Sequence, residues 1–210
     1  MSVQNNDPTL LEITNLLTTK YKCHTVILYG SRARGVATDI SDYDIVGIFK
    51  RGSKTRITKK KNGAYWDVFL YSERDLKKLS DQQLAWRDAR LLFERGNYGR
   101  NFTRRLRKHF KKPFEPAPLY EINATKAWSD KQLERIAVGD VHGLYRRAEL
   151  QQASVADYFQ IRRKRFIGPK AGLEWLEKND PNTFKLFERV YNDPTNLNAL
   201  KSLVDRVYKT

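Results

Sequence analysis

Apolar positions recur along the chain with two different periods, which predict where the helices and strands lie. Asp7-Pro8 is a typical helix start, and apolar residues at helical spacing follow it. These features predict a helix over residues 8–20. Segments with β-branched residues or with apolar and polar residues in alternation predict strands. Three strands are predicted in this way, over residues 24–29, 42–49 and 65–71.

Beyond Ser72 the pattern becomes mainly helical. Ser72-x-x-Asp75 and Ser129-x-x-Gln132 resemble capping boxes, and Asp180-Pro181 and Asp193-Pro194 repeat the Asp-Pro helix start. Several prolines predict a loop over residues 111–122. We therefore predict two domains: an α/β domain over residues 1–78 and a helical domain over residues 79–210.

The charge of the chain indicates an anionic partner. Its 40 Lys and Arg against 24 Asp and Glu give a net charge of +16, which favours nucleoside triphosphates, nucleic acid or an acidic protein. No apolar run approaches the ~18 residues of a membrane span, and no signal-peptide pattern is present. A single cysteine, Cys23, forms no internal disulfide. We therefore expect a cytoplasmic protein with no membrane contact.

One short segment combines a small-residue turn with carboxylates. The turn reads Gly30-Ser31-Arg32-Ala33-Arg34-Gly35, and Ser41-Asp42-Tyr43-Asp44 follows it. Glycines allow backbone N–H groups to approach a phosphate closely. Asp42 and Asp44 are two residues apart in a predicted strand, so they share one face, and Asp67 could join them from a neighbouring strand. Carboxylate oxygens are the ligands that Mg²⁺ prefers beside substrate phosphates.

These residues resemble the signature of the DNA polymerase β nucleotidyltransferase superfamily, most of all the small bacterial members with a helical second domain. The resemblance is specific over residues 24–71. It implies an α+β fold, in which a mixed sheet with flanking helices precedes the C-terminal helical domain. It also implies that Gly30 and Ser31 bind the triphosphate. By the same resemblance, two Mg²⁺ ions would be held by three catalytic carboxylates, Asp42, Asp44 and Asp67. The alternative for Asp67 is an acid at a strand edge that pairs with an arginine.

Two basic residues are candidates for further contacts with the nucleotide. Arg34, like Arg32, could hold phosphate in a guanidinium fork or could face solvent on the short helix after Gly30. The resembling family often places a basic residue of its helical domain over the triphosphate, and Lys170 is the candidate here. The alternative is that Lys170 is an ordinary residue of a helix–helix turn.

Basic residues also cluster outside the motif. Residues 50–61 hold seven cations among twelve positions, and we expect a solvated hairpin between two strands. Binding of nucleic acid or of an acidic partner is the alternative, and it also applies to the basic groups at 104–108 and 162–165. The run at 50–61 has no interleaved aromatic residues for stacking on bases, which favours the solvated hairpin.

The resemblance implies a Mg²⁺-dependent enzyme that transfers a nucleoside monophosphate from a triphosphate to an acceptor hydroxyl and releases pyrophosphate. ATP is the expected triphosphate, and the acceptor is a small molecule or a protein. The alternative is a module of the same fold that has lost catalysis and acts as a nucleotide-binding, RNA-binding or antitoxin-type protein.

Overall fold

The chain folds into two compact units, residues 1–112 and residues 113–210. The computed structural model describes residues 7–209. The first unit contains all the strands found among the described residues, and the second contains helices only. The predicted α+β class is confirmed.

A mixed five-stranded sheet forms the first unit. The strands are ordered β3-β4-β2-β1-β5 across the sheet. β2 and β4 run parallel, whereas the other three pairs are antiparallel. The strands are β1 (Thr25–Leu28), β2 (Tyr43–Phe49), β3 (Thr55–Lys61), β4 (Ala64–Ser72) and β5 (Arg90–Glu94).

Helices cover both faces of this sheet. On one face, α1 (Pro8–Thr19) buries its apolar stripe against β1, β2 and β4, and the Asp7 carboxylate caps it by accepting from the N–H of Thr9 at 2.9 Å. The other face packs against α3 (Tyr98–Phe110) and a 3₁₀ helix, Asp81–Trp86. The short helix α2 (Gly30–Arg34) follows β1 directly.

Residues 55–61 form a strand of their own, which the sequence analysis did not predict. This strand pairs with β4 in a hairpin and most of its residues are exposed, which agrees with the expected solvated hairpin. Lys61 and Ala64 are joined by the two-residue turn Asn62-Gly63, in which φ is +51° and +79°. Two positive φ values are typical of the tight turn that joins antiparallel strands, and Asn-Gly favours it. Polar residues suit β3 because it is an edge strand with little of its surface buried.

The division between the units lies after Lys112 rather than after residue 78. Three elements past residue 78 belong to the sheet unit, which explains the difference. They are the 3₁₀ helix Asp81–Trp86, β5 and α3. β5 pairs with β1, and α3 buries Phe102 and Leu106 in the core on that face. The sequence analysis missed β5 because its residues are all half-buried and show no alternation.

Five helices form the second unit around one apolar core. Ser129 and Gln132 lie inside the first of them rather than at its start, so that predicted capping box is wrong. Asp193-Pro194 forms a turn, and the last helix instead begins after Asn196, whose side chain accepts from the N–H of Ala199. The helices are α4 (Leu119–Ile136), α5 (Val141–Ile161), α6 (Pro169–Asn179), α7 (Pro181–Asn192) and α8 (Leu197–Tyr208).

Asp180 bonds to residues of three helices in this core. It caps α7, as its Asp-Pro sequence predicts, by accepting from the N–H and the hydroxyl of Thr183. It also accepts from the hydroxyl of Tyr158 at 2.8 Å and pairs with Arg206 at 3.2 Å. Burial alone would raise the pKa of Asp180, but these bonds lower it to about 2.

Over residues 7–209, none of the helices is long and apolar enough to cross a membrane.

Candidate active site

The site begins where β1 ends and the chain turns sharply at Gly30. The N–H of Tyr29 donates to the backbone carbonyl of Asp44 at 2.9 Å, which fixes the turn against β2. Gly30 has φ +72°, a conformation that L side chains rarely adopt. A Cβ on Gly30 would lie 2.0 Å from Oδ2 of Asp44. Only glycine therefore leaves room for the Asp44 carboxylate beside the turn.

Asp44 and Asp67 lie side by side on the sheet. They are register partners on the parallel strands β2 and β4, so both side chains leave the same face. This is the face that carries α3, and it is opposite to the face covered by α1. The expectation that Asp67 comes from a strand next to that of Asp44 agrees with this register.

The carboxylate of Asp67 is held by a cation from the edge strand. Arg56 on β3 donates from Nε to Oδ1 at 2.6 Å and from a terminal nitrogen to Oδ2 at 2.7 Å. The same guanidinium lies over the ring of Phe69, 4.5 Å from its centre. A bidentate pair with a carboxylate is the geometry that arginine favours. The sequence analysis left open a pairing of Asp67 with an arginine, but it did not identify Arg56, whose segment it placed in a solvated hairpin.

Asp42 lies just before β2 and is exposed. Its backbone is fixed by Arg32, which donates to the carbonyls of Ser41 at 2.8 Å and Asp42 at 3.2 Å. The Arg32 guanidinium also lies 3.9 Å from the centre of the Tyr43 ring. Arg32 thus holds the segment that carries Asp42, a role that its sequence position alone did not indicate.

Aromatic residues border the two aspartates. Tyr29 precedes the turn, and its ring lies 5.9 Å from that of Trp86, which also contacts the ring of Tyr71. Burial raises the pKa of the Tyr29 hydroxyl, and the negative charges of Asp44 and Asp67 raise it further. The hydroxyl therefore stays protonated at neutral pH beside the two acids.

The other predicted binding residues lie in three different settings. Ser31 is buried in the first turn of α2, where backbone N–H groups have no acceptor within the helix. Arg34 is exposed in the last turn of the same helix. Lys170 is exposed near the start of α6 in the second unit. Nucleotide binding by these residues stays a prediction.

A divalent cation fits the donor chemistry of this site, although the carboxylates are not gathered around one point. Within residues 7–209, no group of three or more Asp, Glu, His or Cys side chains is arranged to hold a metal ion. Arg56 bonds both oxygens of Asp67, which accounts for part of this. Asp44 and Asp67 nevertheless leave the same face on adjacent strands, and their hard oxygens are the ligands that Mg²⁺ takes.

Comparison with known families identifies the class of the sheet unit. Residues 12–98 match the family model of the nucleotidyltransferase domain. The match includes the turn at Gly30, all three aspartates and β5, and it ends at the start of α3. Residues 12–98 are therefore similar to a nucleotidyltransferase domain, the class that the Gly-Ser turn and the paired aspartates predicted.

Among solved structures, the chain is similar to a nucleotidyltransferase-like protein from Exiguobacterium sibiricum 255-15, with 16% sequence identity. That similarity covers 93% of this chain and 74% of the other, with a TM-score of 0.36. A comparison with curated proteins finds no match.

Proposed function

We propose that the protein is a Mg²⁺-dependent nucleotidyltransferase that moves a nucleoside monophosphate, with ATP as donor, to an acceptor hydroxyl. The observation that carries the proposal is the contact between the Gly30 turn and Asp44, beside its register partner Asp67. This arrangement joins a phosphate-binding turn to paired carboxylates within one short stretch of sheet. The family match supports the same class of reaction.

Each residue of the site has a distinct role in this proposal. Gly30 and Ser31 present first-turn N–H groups of α2 to the triphosphate. Asp42 and Asp44 hold the cations, with Asp67 as the third ligand and as the base that accepts the proton of the acceptor hydroxyl. Two bound Mg²⁺ ions would stabilise the charge that develops on the attacking and leaving oxygens.

In this proposal, Arg56 pairs with the Asp67 carboxylate when no metal ion is bound there. In the described arrangement the guanidinium neutralises Asp67, which otherwise would add its negative charge to that of Asp44 on the same face. A cation bound by Asp67 would compete with Arg56 for the same oxygens. The Arg56 side chain is 53% exposed, so it can leave without the disruption of a core.

Arg34 and Lys170 are proposed as additional triphosphate contacts, since both are exposed cations. A small molecule or a protein in the cytoplasm is the proposed source of the acceptor hydroxyl. The second candidate function is a nucleotide- or RNA-binding or antitoxin-type module without catalysis. The bond between Arg56 and Asp67 favours that candidate, because it withdraws one of the three acids from metal binding.

Label transfer tests the proposal. The protein is incubated with each nucleoside triphosphate labelled at the α-phosphate, with Mg²⁺, and with small-molecule, protein and RNA fractions as acceptors. We expect label in an acceptor fraction, together with pyrophosphate, and neither product from an Asp44→Asn variant that is folded. Nucleotide binding without pyrophosphate release in any fraction would support the non-catalytic module instead.

A further inference from the structure

A second cationic region lies on the sheet unit, away from the three aspartates. It consists of two open grooves of about 460 and 520 Å³ that share Lys77 in their linings. We call them together the basic groove. Its cations come from the segment after β2, from the turn after β4, and from α3 and the residues that follow it. They are Lys50, Arg51, Arg74, Lys77, Lys78, Arg105, Lys108 and Lys112.

Few acids offset these charges. The larger groove has no acidic residue in its lining, and the smaller has only Glu73. The carboxylate of Glu73 also lies 3.1 Å from Nε2 of His24. Asp75, nearby in sequence, accepts from the N–H and hydroxyl of Ser72, which lowers its pKa. The basic groove therefore carries a strong excess of positive charge.

Hydrogen bonds from one arginine connect two sides of the basic groove. Arg105 on α3 donates to the backbone carbonyls of Leu76 at 3.0 Å and Lys77 at 2.7 Å. These bonds fasten the turn after β4 to α3. Lys77 and Lys78 on the turn are thereby kept beside Lys108 on the helix, and all three are exposed.

The basic groove and the aspartates lie at opposite ends of the same two strands. Asp44 is the second residue of β2, whereas Lys50 directly follows its last residue. The two residues are six positions apart along the strand, a distance of about 20 Å. On β4, Asp67 likewise precedes Arg74 by seven positions. The basic groove is therefore too far away to bind the same triphosphate as the Gly30 turn.

We infer that the basic groove binds the phosphodiester backbone of a nucleic acid. Its lining offers more cations than one triphosphate can neutralise, which favours an extended polyanion. Contact areas between proteins have cores depleted of charged residues, whereas Leu79 is the sole large apolar residue in the two linings. A phosphate backbone requires only such a row of cations.

Salt-dependent binding of labelled nucleic acid tests this inference. The probe is a fluorescein-labelled 20-nucleotide single-stranded RNA of mixed sequence, with single-stranded DNA, duplex RNA and unlabelled ATP as separate arms. The test variant combines Lys77→Gln, Lys78→Gln and Lys108→Gln. The control variant changes Lys59, Lys60 and Lys61 of β3 to Gln. It therefore also loses three positive charges, but from another surface of the same unit.

We expect the parent to bind the probe with a steep salt dependence, and the test variant to bind it about tenfold more weakly. The negative slope of log affinity against log salt concentration should be shallower by about 2 in the test variant, because each lost contact on a single strand removes ~0.7 from its magnitude. The control variant should stay within about twofold of the parent. ATP at equal phosphate concentration should compete poorly.

Three results would overturn the inference: no binding by the parent, equal losses in both variants, or a loss confined to the control variant. Equal losses would indicate only the net charge, and a loss in the control alone would place the contact on β3. Binding at the basic groove does not depend on the proposed transfer reaction. The Asp44→Asn variant should therefore bind the probe as the parent does. Thermal unfolding of each variant establishes that it is folded.

Discussion

Asp44 and Asp67 are register partners on the parallel strands β2 and β4, and the Arg56 guanidinium holds Asp67 in a bidentate pair. Two carboxylates on one face of adjacent strands repel each other unless a cation lies between or beside them. In the described arrangement Arg56 supplies that cation for Asp67. The Arg56 guanidinium and a bound metal ion would therefore compete for the Asp67 carboxylate.

The first prediction concerns removal of Arg56. An Arg56→Gln variant should bind Mn²⁺ several-fold more tightly than the parent in the absence of nucleotide, because Asp67 no longer has a bonded guanidinium. Titration calorimetry measures this affinity directly. Lys54→Gln is the matched control, since Lys54 lies over the Tyr71 ring of the same strand pair and has no carboxylate bond in its described contacts. An unchanged or weaker Mn²⁺ affinity in Arg56→Gln would show that the two cations do not compete.

The second prediction compares two glycines with almost the same backbone conformation. Gly30 and Gly35 have φ of +72° and +76°, so alanine strains the backbone equally at both, by roughly 1–2 kcal/mol. A Cβ at Gly30 meets Asp44, whereas nothing lies within 4 Å of a Cβ at Gly35. Gly30→Ala should therefore weaken binding of ATP with Mg²⁺ at least tenfold, about 1.4 kcal/mol. Gly35→Ala should lower the stability of the fold but leave the affinity for ATP unchanged.

Calorimetric titration of both folded variants with ATP and Mg²⁺ decides this comparison. Equal affinities in the two variants would mean that the contact between Gly30 and Asp44 does not shape the binding site.

The third prediction concerns acid stability in the second unit. The pKa of Asp180 is about 2 in the folded chain against an ordinary value of 3.8, so its ionised form stabilises the fold. This stabilisation is fully present above about pH 4 and is lost as the pH falls toward 2. Asp180→Asn should cost about 1 kcal/mol at pH 6, because a neutral amide bonds Arg206 and Thr183 less strongly.

Urea unfolding of the parent and the variant at pH 6 and at pH 2.5 measures this difference. The gap in unfolding free energy should narrow at the lower pH. Asp193→Asn is the control, because Asp193 is exposed and bonds only local residues in its described contacts. A gap that is the same at both pH values would contradict the role of the Asp180 charge.

The sequence predicts the centre of the sheet unit well for a physical reason. Asp42 and Asp44 are two apart, and strand alternation places Asp44 on one face with few alternatives. The Asp-Pro pairs at Asp7 and Asp180 predict helix starts because the cap bonds are local. Such features depend on neighbours within a few residues, so one sequence suffices to find them.

Features that depend on pairing between distant segments were missed. Asn62-Gly63 is a strong hairpin signal, and from that turn the register places Thr58 opposite Asp67 and Arg56 one pair further along the same face. Reading the turn would have located Arg56 beside Asp67. It would also have shown that β4 aromatics lie beneath the basic residues: Lys59 is 3.8 Å from the Trp66 ring centre and Lys60 is 4.8 Å from that of Tyr65.

The coupling between cation and nucleotide tests the central claim most directly, because it requires no knowledge of the acceptor. Binding of ATP is measured by calorimetry with and without Mg²⁺, for the parent and for Asp44→Asn. We predict that Mg²⁺ strengthens binding of ATP to the parent at least tenfold, about 1.4 kcal/mol. We predict that the folded variant loses this dependence. Equal strengthening by Mg²⁺ in the parent and in Asp44→Asn would contradict the assignment of the site.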